Sequence, residues 1–274
     1  MTSPTSQPES ADLLDVLELE ELEVNLYRAN LVLKEERPLF GGQVAAQALR
    51  AAGLTVDPDR RAHSLHGYFL RPGDSHHATV FQVFRDRDGR SFSARRVVAL
   101  QDGAVIFSMS ASFAVAASAR RPFPDEEAEP LPDMPPVESL QPWTAGKHPS
   151  FEFRPADPAE RLPGRFWLRC TDELPDDPLV HAAVLAYTSD ISSALIPFES
   201  EGISTGPSLD HAVWFHRPAT MNDWHWQELT PRTVAGGRGW YTVAIYAPDG
   251  TRVASVAQEQ LFAARPSRRS APGA

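Results

Sequence analysis

Apolar residues in the first half of the chain follow one helical pattern and then several strand patterns. In "GGQVAAQALRAAG" (41–53) the apolar residues on one helical face are Val44, Ala48, Leu49 and Ala52, and Gly53 ends the pattern. Strand-like runs follow at 63–71, 77–85 and 91–100, and "DG" at 102–103 predicts a hairpin turn into a further strand. One helix followed by an antiparallel sheet indicates an α+β fold.

The same order of patterns returns in the second half. It begins after a Pro- and acid-rich stretch without periodicity, residues 119–148. Strand patterns are predicted at 150–154 and 165–171, a helix at 178–198, and further strands at 208–217, 224–230 and 238–246. A second "DG", at 249–250, precedes the last strand-like run, "TRVASVAQEQLFA".

The two halves align with a nearly constant offset. "FLRP" at 69–72 falls on "FHRP" at 215–218, which is 146 residues later, and "QDGAVIFSMSASF" at 101–113 falls on 248–260, which is 147 residues later. A constant offset across several elements indicates an internal duplication. The predicted architecture is therefore a double hotdog, in which a helix is wrapped by a curved antiparallel sheet, twice, and the two sheets form one continuous sheet.

This architecture divides the chain into five segments. The two repeats are predicted at 12–118 and 149–264, and the stretch at 119–148 is a linker between them. The polar, Pro- and Ser-rich ends, 1–11 and 265–274, are predicted to be disordered tails.

Composition and charge argue against some classes of partner and indicate the cellular compartment. The 274 residues carry a net charge of −10 and no basic stripe, which argues against nucleic-acid binding. No apolar run approaches the roughly 20 residues that span a bilayer, so no membrane insertion is expected. The single cysteine, Cys170, suits a reducing compartment, and the first residues do not resemble a secretory signal. We therefore expect a cytoplasmic protein.

Five motifs together resemble one known family. "LFGGQVAAQAL", "HSLHGYFLRPGD", "GRSFSARRVVALQDG", "FSMSASF" and "LDHAVWFHRP" occur in the order seen in the acyl-CoA thioesterase II (TesB-like) family, and the similarity covers about residues 12–263. The resemblance implies a double-hotdog enzyme that hydrolyses fatty acyl-CoA to a free fatty acid and CoA. It also implies that no metal or organic cofactor is needed and that the protein forms a homodimer or a higher homo-oligomer.

The resemblance also implies three catalytic residues. The family has an Asp on the second helix, a Ser or Thr that opens the "hydroxyl-x-Asp-His" strand, and a Gln on the last strand. Here these are Asp190 in "YTSD", Ser208 in "SLDH" and Gln258 in "VAQE". The internal repeat gives independent support, because stepping back by the offset places these residues near Gln43, Ala62 and Ala111 respectively. A duplicated scaffold with one working site would show this asymmetry.

The three residue types suit thioester hydrolysis. The reaction needs a water that is held against the carbonyl and partly deprotonated, and donors for the oxyanion. Asp190 has apolar neighbours in sequence, and burial would raise its pKa toward the range of a general base. Ser208 and Gln258 would hold the water, and a backbone N–H near a helix start is the usual oxyanion donor. The sequence leaves open whether Asp190 activates water or attacks the carbonyl itself.

Each of the three residues also has an ordinary structural interpretation. Asp190 alone would be read as a helix cap, Ser208 as a hydroxyl where a strand begins, and Gln258 as a solvent-facing residue. Two other functions are known for hotdog folds. A hotdog hydratase or dehydratase would carry an Asp-x-Asn-Pro-x-His string, which is absent from the sequence. A hotdog protein that binds acyl-CoA without catalysis would be favoured if the three positions were apolar.

Several other residues suggest sites that we consider weak. "GISTG" at 202–206 fits the nucleophile elbow of serine hydrolases around Ser204, but an elbow must lead into a helix and a strand pattern follows here. Cys170 lies in a strand pattern typical of a buried structural thiol. The "HSLH" histidines, three residues apart on a strand, would face opposite sides of a sheet and could not easily share a metal ion. Four aromatic residues are predicted to lie in the core, namely Tyr68, Phe69, Trp214 and Phe215.

Overall fold

The computed structural model describes residues 12–29, 38–115, 129–143, 149–159, 163–191 and 193–264. The helices are α1 (Leu13–Leu17), α2 (Gly41–Gly53) and α3 (Pro178–Ser189). The strands of the first half are β1 (Leu19–Glu23), β2 (Leu26–Ala29), β3 (Arg60–Phe69), β4 (Val80–Asp88), β5 (Phe92–Gln101) and β6 (Ala104–Val115). Those of the second half are β7 (Phe151–Pro155), β8 (Arg165–Cys170), β9 (Ile203–Ser208), β10 (Asp210–Phe215), β11 (His225–Ala235), β12 (Arg238–Tyr246) and β13 (Arg252–Ala264).

Within the described residues, the strands form one antiparallel sheet whose order reads the same from both ends. The order is β1-β2-β4-β5-β6-β3-β10-β13-β12-β11-β8-β7, and β9 pairs separately with β13. Counted from either edge toward the centre, the strands of the two halves follow the same order: β1, β2, β4, β5, β6 and β3 in the first half correspond to β7, β8, β11, β12, β13 and β10 in the second. The halves meet where β3 pairs with β10, from Asp210 opposite Tyr68 to Trp214 opposite Ser64.

The strand registers agree with the sequence offset. Gly67 of β3 pairs with Met109 of β6, and 146 and 147 residues later Val213 of β10 pairs with Val256 of β13. An approximate twofold axis therefore relates the halves, and the predicted α+β double hotdog with one continuous sheet is confirmed. The boundaries of the predicted segments stay predictions, since 1–11, 116–128, 144–148 and 265–274 lie outside the described residues.

The two long helices pack against each other in antiparallel directions, and α2 also contacts the first half of the sheet. Close approach is allowed by small side chains, because the buried face of α2 consists mainly of alanine and glycine. A Cβ added at Gly53, at the end of α2, would overlap the Leu179 side chain near the start of α3. At the other end, a Cβ at Gly41 would lie 2.6 Å from Asp190 Oδ2. Each helix therefore begins where the other ends.

The helix predicted at 178–198 is shorter in the structure. It ends at Ser189, and Asp190 is its C-cap residue, with φ −86° and ψ 10°. Two hydroxyl groups in the last turn bond to helix carbonyls: Thr188 Oγ1 donates to Leu185 O at 3.1 Å, and Ser189 Oγ donates to Ala186 O at 2.9 Å. Such bonds compete with continued helix formation, which apolar periodicity does not reveal.

The strand predicted at 208–217 is two strands in the structure. β10 begins at Asp210, and β9 was missed because Gly206-Pro207 interrupts its pattern. Ser208 pairs with Gln260 and Thr205 with Phe262. The register therefore shifts between these two pairs, where Gly206 and Pro207 lie opposite the single residue Leu261. Proline is tolerated in a sheet at such irregularities, where no ladder hydrogen bond is lost.

The prediction that four aromatic residues lie in the core is wrong for two of them. Phe69 and Phe215 pack against the core, whereas Tyr68 is 62% exposed and Trp214 is 37% exposed. Successive side chains on a strand point to opposite faces, and the helices cover one face only. Among the described helices, none is long and apolar enough to cross a membrane.

Candidate active site

The structure brings Asp190, Ser208 and Gln258 together at the start of α2. Asp190 follows the last turn of α3, Ser208 ends β9, and Gln258 lies in β13. Gln258 Nε2 donates to Asp190 Oδ1 at 2.7 Å and to Ser208 Oγ at 2.6 Å. Ser208 Oγ in turn donates to Asp190 Oδ1 over a long 3.4 Å. The three side chains that the sequence singled out thus form one hydrogen-bonded group.

Two further residues hold the Gln258 amide in this orientation. Gln258 is fully buried, and its Oε1 accepts a short hydrogen bond from His211 Nδ1. The other ring nitrogen, His211 Nε2, lies 2.8 Å from Ser189 Oγ. Because an amide oxygen cannot donate, Nδ1 must carry a proton for this contact to form. Sequence analysis missed both His211 and Ser189, although His211 belongs to the "SLDH" string and Ser189 precedes Asp190.

Burial governs the acidity of Asp190. The residue is 5% exposed, and loss of hydration raises the pKa of its carboxyl group. The charge of His211 and hydrogen bonds from Gln258, the Gly42 N–H and Ser208 act in the opposite direction without cancelling this effect. A raised pKa makes the carboxylate a stronger base, which suits a general base.

At the start of α2, Asp190 takes the place of a capping side chain. The N-cap residue of this helix, Phe40, makes no side-chain capping hydrogen bond, and the Gly42 N–H bonds to Asp190 instead. The start of α3 differs, since its N-cap Asp177 accepts from the Leu179 N–H at 2.9 Å. The start of a helix carries partial positive charge, which favours a carboxylate or a developing oxyanion nearby.

A cavity of about 690 Å³ opens beside this group, and we call it the Asp190 cavity. Asp190 and Ser208 line it, whereas Gln258 lies behind them. The remaining lining is mainly apolar and comes from both halves of the chain; it includes Leu39, Phe40, Val44, Phe69, Ile106, Phe107 and Leu261. One cationic side chain, Arg71, also lines the cavity, and its Nη1 donates to Val105 O at 2.6 Å. Such a cavity suits an apolar chain that carries one polar reacting group.

The structure corrects one of the three positions assigned from the repeat. Ser208 pairs with Gln260 as Ala62 pairs with Phe113, so Ser208 and Ala62 are equivalent, and Gln258 is likewise equivalent to Ala111. Asp190 does not correspond to Gln43. It follows the C-terminal end of α3, so its counterpart lies at the end of α2, near Gly53 and Leu54. The prediction failed because the segments between helix and sheet differ in length in the two halves.

The structure does not support the other candidate sites. Ser204 lies in β9 after a turn at Gly202, so no strand-turn-helix elbow exists there. Cys170 is buried at the end of β8, and burial raises the pKa of its thiol to about 12. A thiol with this pKa is inert at neutral pH. Within the described ranges, no three His, Cys, Asp or Glu side chains converge as a metal site.

Comparisons with known proteins agree over nearly the whole chain. Residues 35–114 match the model of the acyl-CoA thioesterase N-terminal domain, and residues 115–262 match that of the acyl-CoA thioesterase C-terminal domain. The chain is 34% identical to acyl-CoA thioesterase 2 of Haemophilus influenzae, over 92% of this chain and 96% of that protein. It is 32% identical to human acyl-coenzyme A thioesterase 8, over 96% of this chain and 92% of that protein.

A solved structure gives the same result. The acyl-CoA thioesterase II TesB2 of Mycobacterium marinum superposes with a TM-score of 0.74 at 39% identity, covering 94% of this chain and 99% of that one. The fold, the two matched domain models and the relatives therefore agree with the five sequence motifs. This chain belongs to the acyl-CoA thioesterase II (TesB-like) family.

Proposed function

We propose that this protein hydrolyses fatty acyl-CoA to a free fatty acid and CoA, with Asp190, Ser208 and Gln258 forming the catalytic group. The observation that carries the proposal is the pair of hydrogen bonds from Gln258 Nε2, which hold Asp190 and Ser208 side by side at the wall of an apolar cavity. The acyl chain would occupy the Asp190 cavity, with the thioester carbonyl next to the start of α2.

Asp190 acts as the general base in the proposed mechanism. A water held by Asp190 and Ser208 attacks the thioester carbon while its proton passes to the carboxylate. The oxyanion forms beside the start of α2, where the partial positive charge of the helix dipole stabilises it. The C–S bond then breaks, and the CoA sulfur takes the proton from Asp190, which leaves a fatty acid, free CoA and the ionised carboxylate.

Gln258 acts through its neighbours rather than on the water. An amide nitrogen has two hydrogens, and both are engaged by Asp190 and Ser208. The amide oxygen is occupied by His211. We therefore assign Gln258 a positioning role and leave contact with the water to Asp190 and Ser208, which differs from the expectation that Gln258 itself holds the water.

Thiol release from a series of acyl-CoAs, short to long, tests the proposal. We expect release by the wild type, and a loss of about 100-fold or more in Asp190→Asn, the range for removing a general base. Asp210→Asn is the matched control, because the Asp210 carboxylate accepts from the Glu259 N–H at 2.7 Å and, among the described residues, does not line the Asp190 cavity. Circular dichroism would show that each variant is folded. Full activity in Asp190→Asn would contradict the assignment of the base.

Isotope labelling separates a general base from a nucleophile. In a single turnover in ¹⁸O-water, a base mechanism places the label in the fatty acid. If Asp190 attacked the carbonyl, CoA thiolate would leave and an anhydride would form; water that opened this anhydride at the Asp190 carbon would leave ¹⁸O in the Asp190 carboxyl group, so a labelled Asp190 in peptide mass spectrometry would identify the nucleophile. We expect an unlabelled Asp190.

In the thiol-release experiment, acyl-CoA binding without thiol release at any chain length would favour a non-catalytic binding protein.

Compartment and assembly complete the proposal. We infer a cytoplasmic protein from its single cysteine, and a homodimer or a higher homo-oligomer from the family resemblance. Light scattering at several protein concentrations tests the assembly. A monomer at every concentration would contradict it.

A further inference from the structure

One exposed arginine, Arg71, lines the Asp190 cavity just beyond the end of β3. Phe69, the last residue of β3, is half-buried and reaches the start of α2: its ring lies 2.9 Å from a Cβ built on Gly41, and that Cβ would lie 2.6 Å from Asp190 Oδ2. The segment from Phe69 to Arg71 therefore leads from the catalytic group toward solvent.

The Arg71 side chain is held in place but keeps donors for a ligand. Its Nη1 donates to Val105 O at 2.6 Å, and the backbone N–H groups of Leu70 and Arg71 donate to Ile106 O at 2.8 and 3.3 Å. A guanidinium has five N–H donors in a planar fork. Since the side chain is exposed, the donors that do not face Val105 are open to solvent.

Neighbouring carboxylates do not neutralise Arg71. The acidic residues of the adjacent turns, Asp74 and Asp102, contact His76 and His77 instead. Within the described part of the chain, no carboxylate lies within ion-pair distance of the Arg71 guanidinium. Its positive charge is therefore available to an anion.

Two arginines of β5 differ from Arg71 in this respect. The Arg95 side chain is 1% exposed and pairs with Asp88 Oδ1 at 2.7 Å. Arg96 packs over the Phe84 ring at 4.0 Å and pairs with Asp86 at 3.7 Å. Neither lines the Asp190 cavity. Arg71 is thus the arginine that combines access to this cavity with an uncompensated charge.

The anion that would meet Arg71 follows from the shape and polarity of the substrate. With the acyl chain in the apolar cavity and the thioester at Asp190, the neutral pantetheine arm extends outward and the phosphates of CoA lie beyond it. The protein carries a net charge of −10, which repels such a polyanion, so a local cation is needed where the phosphates arrive. Guanidinium hydrogens match phosphate oxygens in pairs.

We propose that Arg71 binds a phosphate group of CoA and thereby selects acyl-CoA over acyl thioesters that lack phosphate. This inference rests on the proposed function, since it names the residue that recognises the CoA half of the substrate. Arg71 has a specificity role and touches no reacting atom. Its backbone and side-chain hydrogen bonds already restrain it, so little conformational freedom is lost on binding.

Steady-state thiol release from octanoyl-CoA and octanoyl-pantetheine tests the proposal. In Arg71→Met we expect KM for octanoyl-CoA to rise about tenfold, because charge-assisted hydrogen bonds are lost. KM for octanoyl-pantetheine, which has no phosphate, should change by less than about twofold. Arg71→Lys should recover part of the loss, since it keeps the charge. An equal rise in KM for both substrates would overturn the proposal in favour of a packing role.

The internal repeat supplies a matched control, Arg217→Met. Arg217 lies 146 residues after Arg71 and also precedes a proline. Its Nη1 donates to Arg252 O at 2.7 Å, as Arg71 Nη1 donates to Val105 O, but Arg217 does not line the Asp190 cavity. Both KM values should therefore stay within about twofold of the wild type. A rise in KM for octanoyl-CoA as large as that in Arg71→Met would contradict a specific role of Arg71.

Calorimetric titration of free CoA into the full-length protein needs no turnover. We expect CoA to bind about tenfold more weakly to Arg71→Met than to the wild type, with circular dichroism confirming the fold. The same loss with dephospho-CoA would place the diphosphate on Arg71, and a loss with CoA alone would place the 3′-phosphate there. Equal CoA affinity of wild type and variant would overturn the proposal. Arg71-dependent CoA binding without any thiol release would count against the proposed function alone.

Discussion

At the scale of single residues, the orientation of the Gln258 amide is set by its environment. Turned by 180°, the amide would present an oxygen to Asp190 and Ser208, and two acceptors would face each other. His211 prevents this orientation, because its Nδ1–H requires an acceptor and finds Gln258 Oε1. His211 is itself fully buried between Ser189 and Gln258. We therefore assign His211 a positioning role in the proposed mechanism, since it does not line the Asp190 cavity.

Replacing His211 should therefore affect the rate rather than substrate binding. We expect His211→Leu to lower kcat by roughly tenfold with little change in KM, because an unpaired buried acceptor costs about 1–3 kcal/mol and the amide is free to turn. His211→Asn should recover part of the loss, since its amide N–H can replace Nδ1–H. Steady-state kinetics of both variants would check this. Equal losses in Leu and Asn would point to a packing role.

The raised pKa of Asp190 predicts a pH profile. The base works only when ionised, so kcat/KM should fall as the pH drops through a pKa that lies above the ordinary 3.8. The raised pKa also makes the stability depend on pH. Asp190 binds a proton more tightly in the folded protein than in the unfolded one, so it stabilises the fold fully below the unfolded pKa. That contribution is lost as the pH rises through the folded pKa. Measurement of kcat/KM against pH would check the acidic limb. A limb at or below about pH 4 would contradict a base shifted by burial.

At the scale of elements, the different starts of α2 and α3 explain why the proposed catalytic group forms at only one end of the helix pair. At the start of α3, the Asp177 side chain accepts a hydrogen bond from the Leu179 N–H. At the start of α2, the Phe40 side chain has no acceptor, and the Gly42 N–H bonds to Asp190. Glycine at the first position of α2 keeps this space open. A Cβ at Gly41 would lie 2.6 Å from Asp190 Oδ2 and 2.9 Å from the Phe69 ring.

Alanine substitutions at the two ends of α2 should therefore separate activity from stability. Gly41→Ala should lower kcat by at least about tenfold, because a displacement of about 1 Å at a catalytic group costs up to about 100-fold. Gly53→Ala meets the flexible end of Leu179 instead and should cost about 1–3 kcal/mol of stability with kcat nearly unchanged. Thermal melts and thiol release would distinguish them. A Gly41→Ala variant with wild-type kcat would show that this contact is easily relieved.

The sequence predicted this fold well where spacing carried the information. The offset of 146 to 147 residues paired Ser208 with Ala62 and Gln258 with Ala111, because strands of equal register keep equal spacing. It failed for Asp190, since the helix-to-sheet connections differ in length. His211 could not be identified from spacing, because its role depends on one hydrogen bond across the core.

At the scale of the whole molecule, the site belongs to neither half alone. The three polar side chains come from the second half, whereas Gly42 and much of the apolar wall come from the first. The sheet runs without a break through the β3–β10 pairing, and α2 packs on α3. These contacts make independent unfolding of one half unfavourable.

We therefore expect one cooperative unfolding transition. In urea, residual thiol release and far-UV circular dichroism should fall together, with coincident midpoints, as for a two-state unit. Loss of activity at clearly lower urea than the loss of circular dichroism would show that the site opens before the sheet does. Two separate transitions in the circular dichroism would mean that the halves unfold as independent units.

The mirrored strand order also affects how such a protein can evolve. An assembly of two identical single-repeat chains would hold two identical sites, and every mutation would alter both. A chain that contains both copies is free of that constraint: Ala62 and Ala111 occupy one site while Ser208 and Gln258 remain in the other. Selection can then act on the two positions separately, so that one conserves a reaction while its twin is free to change.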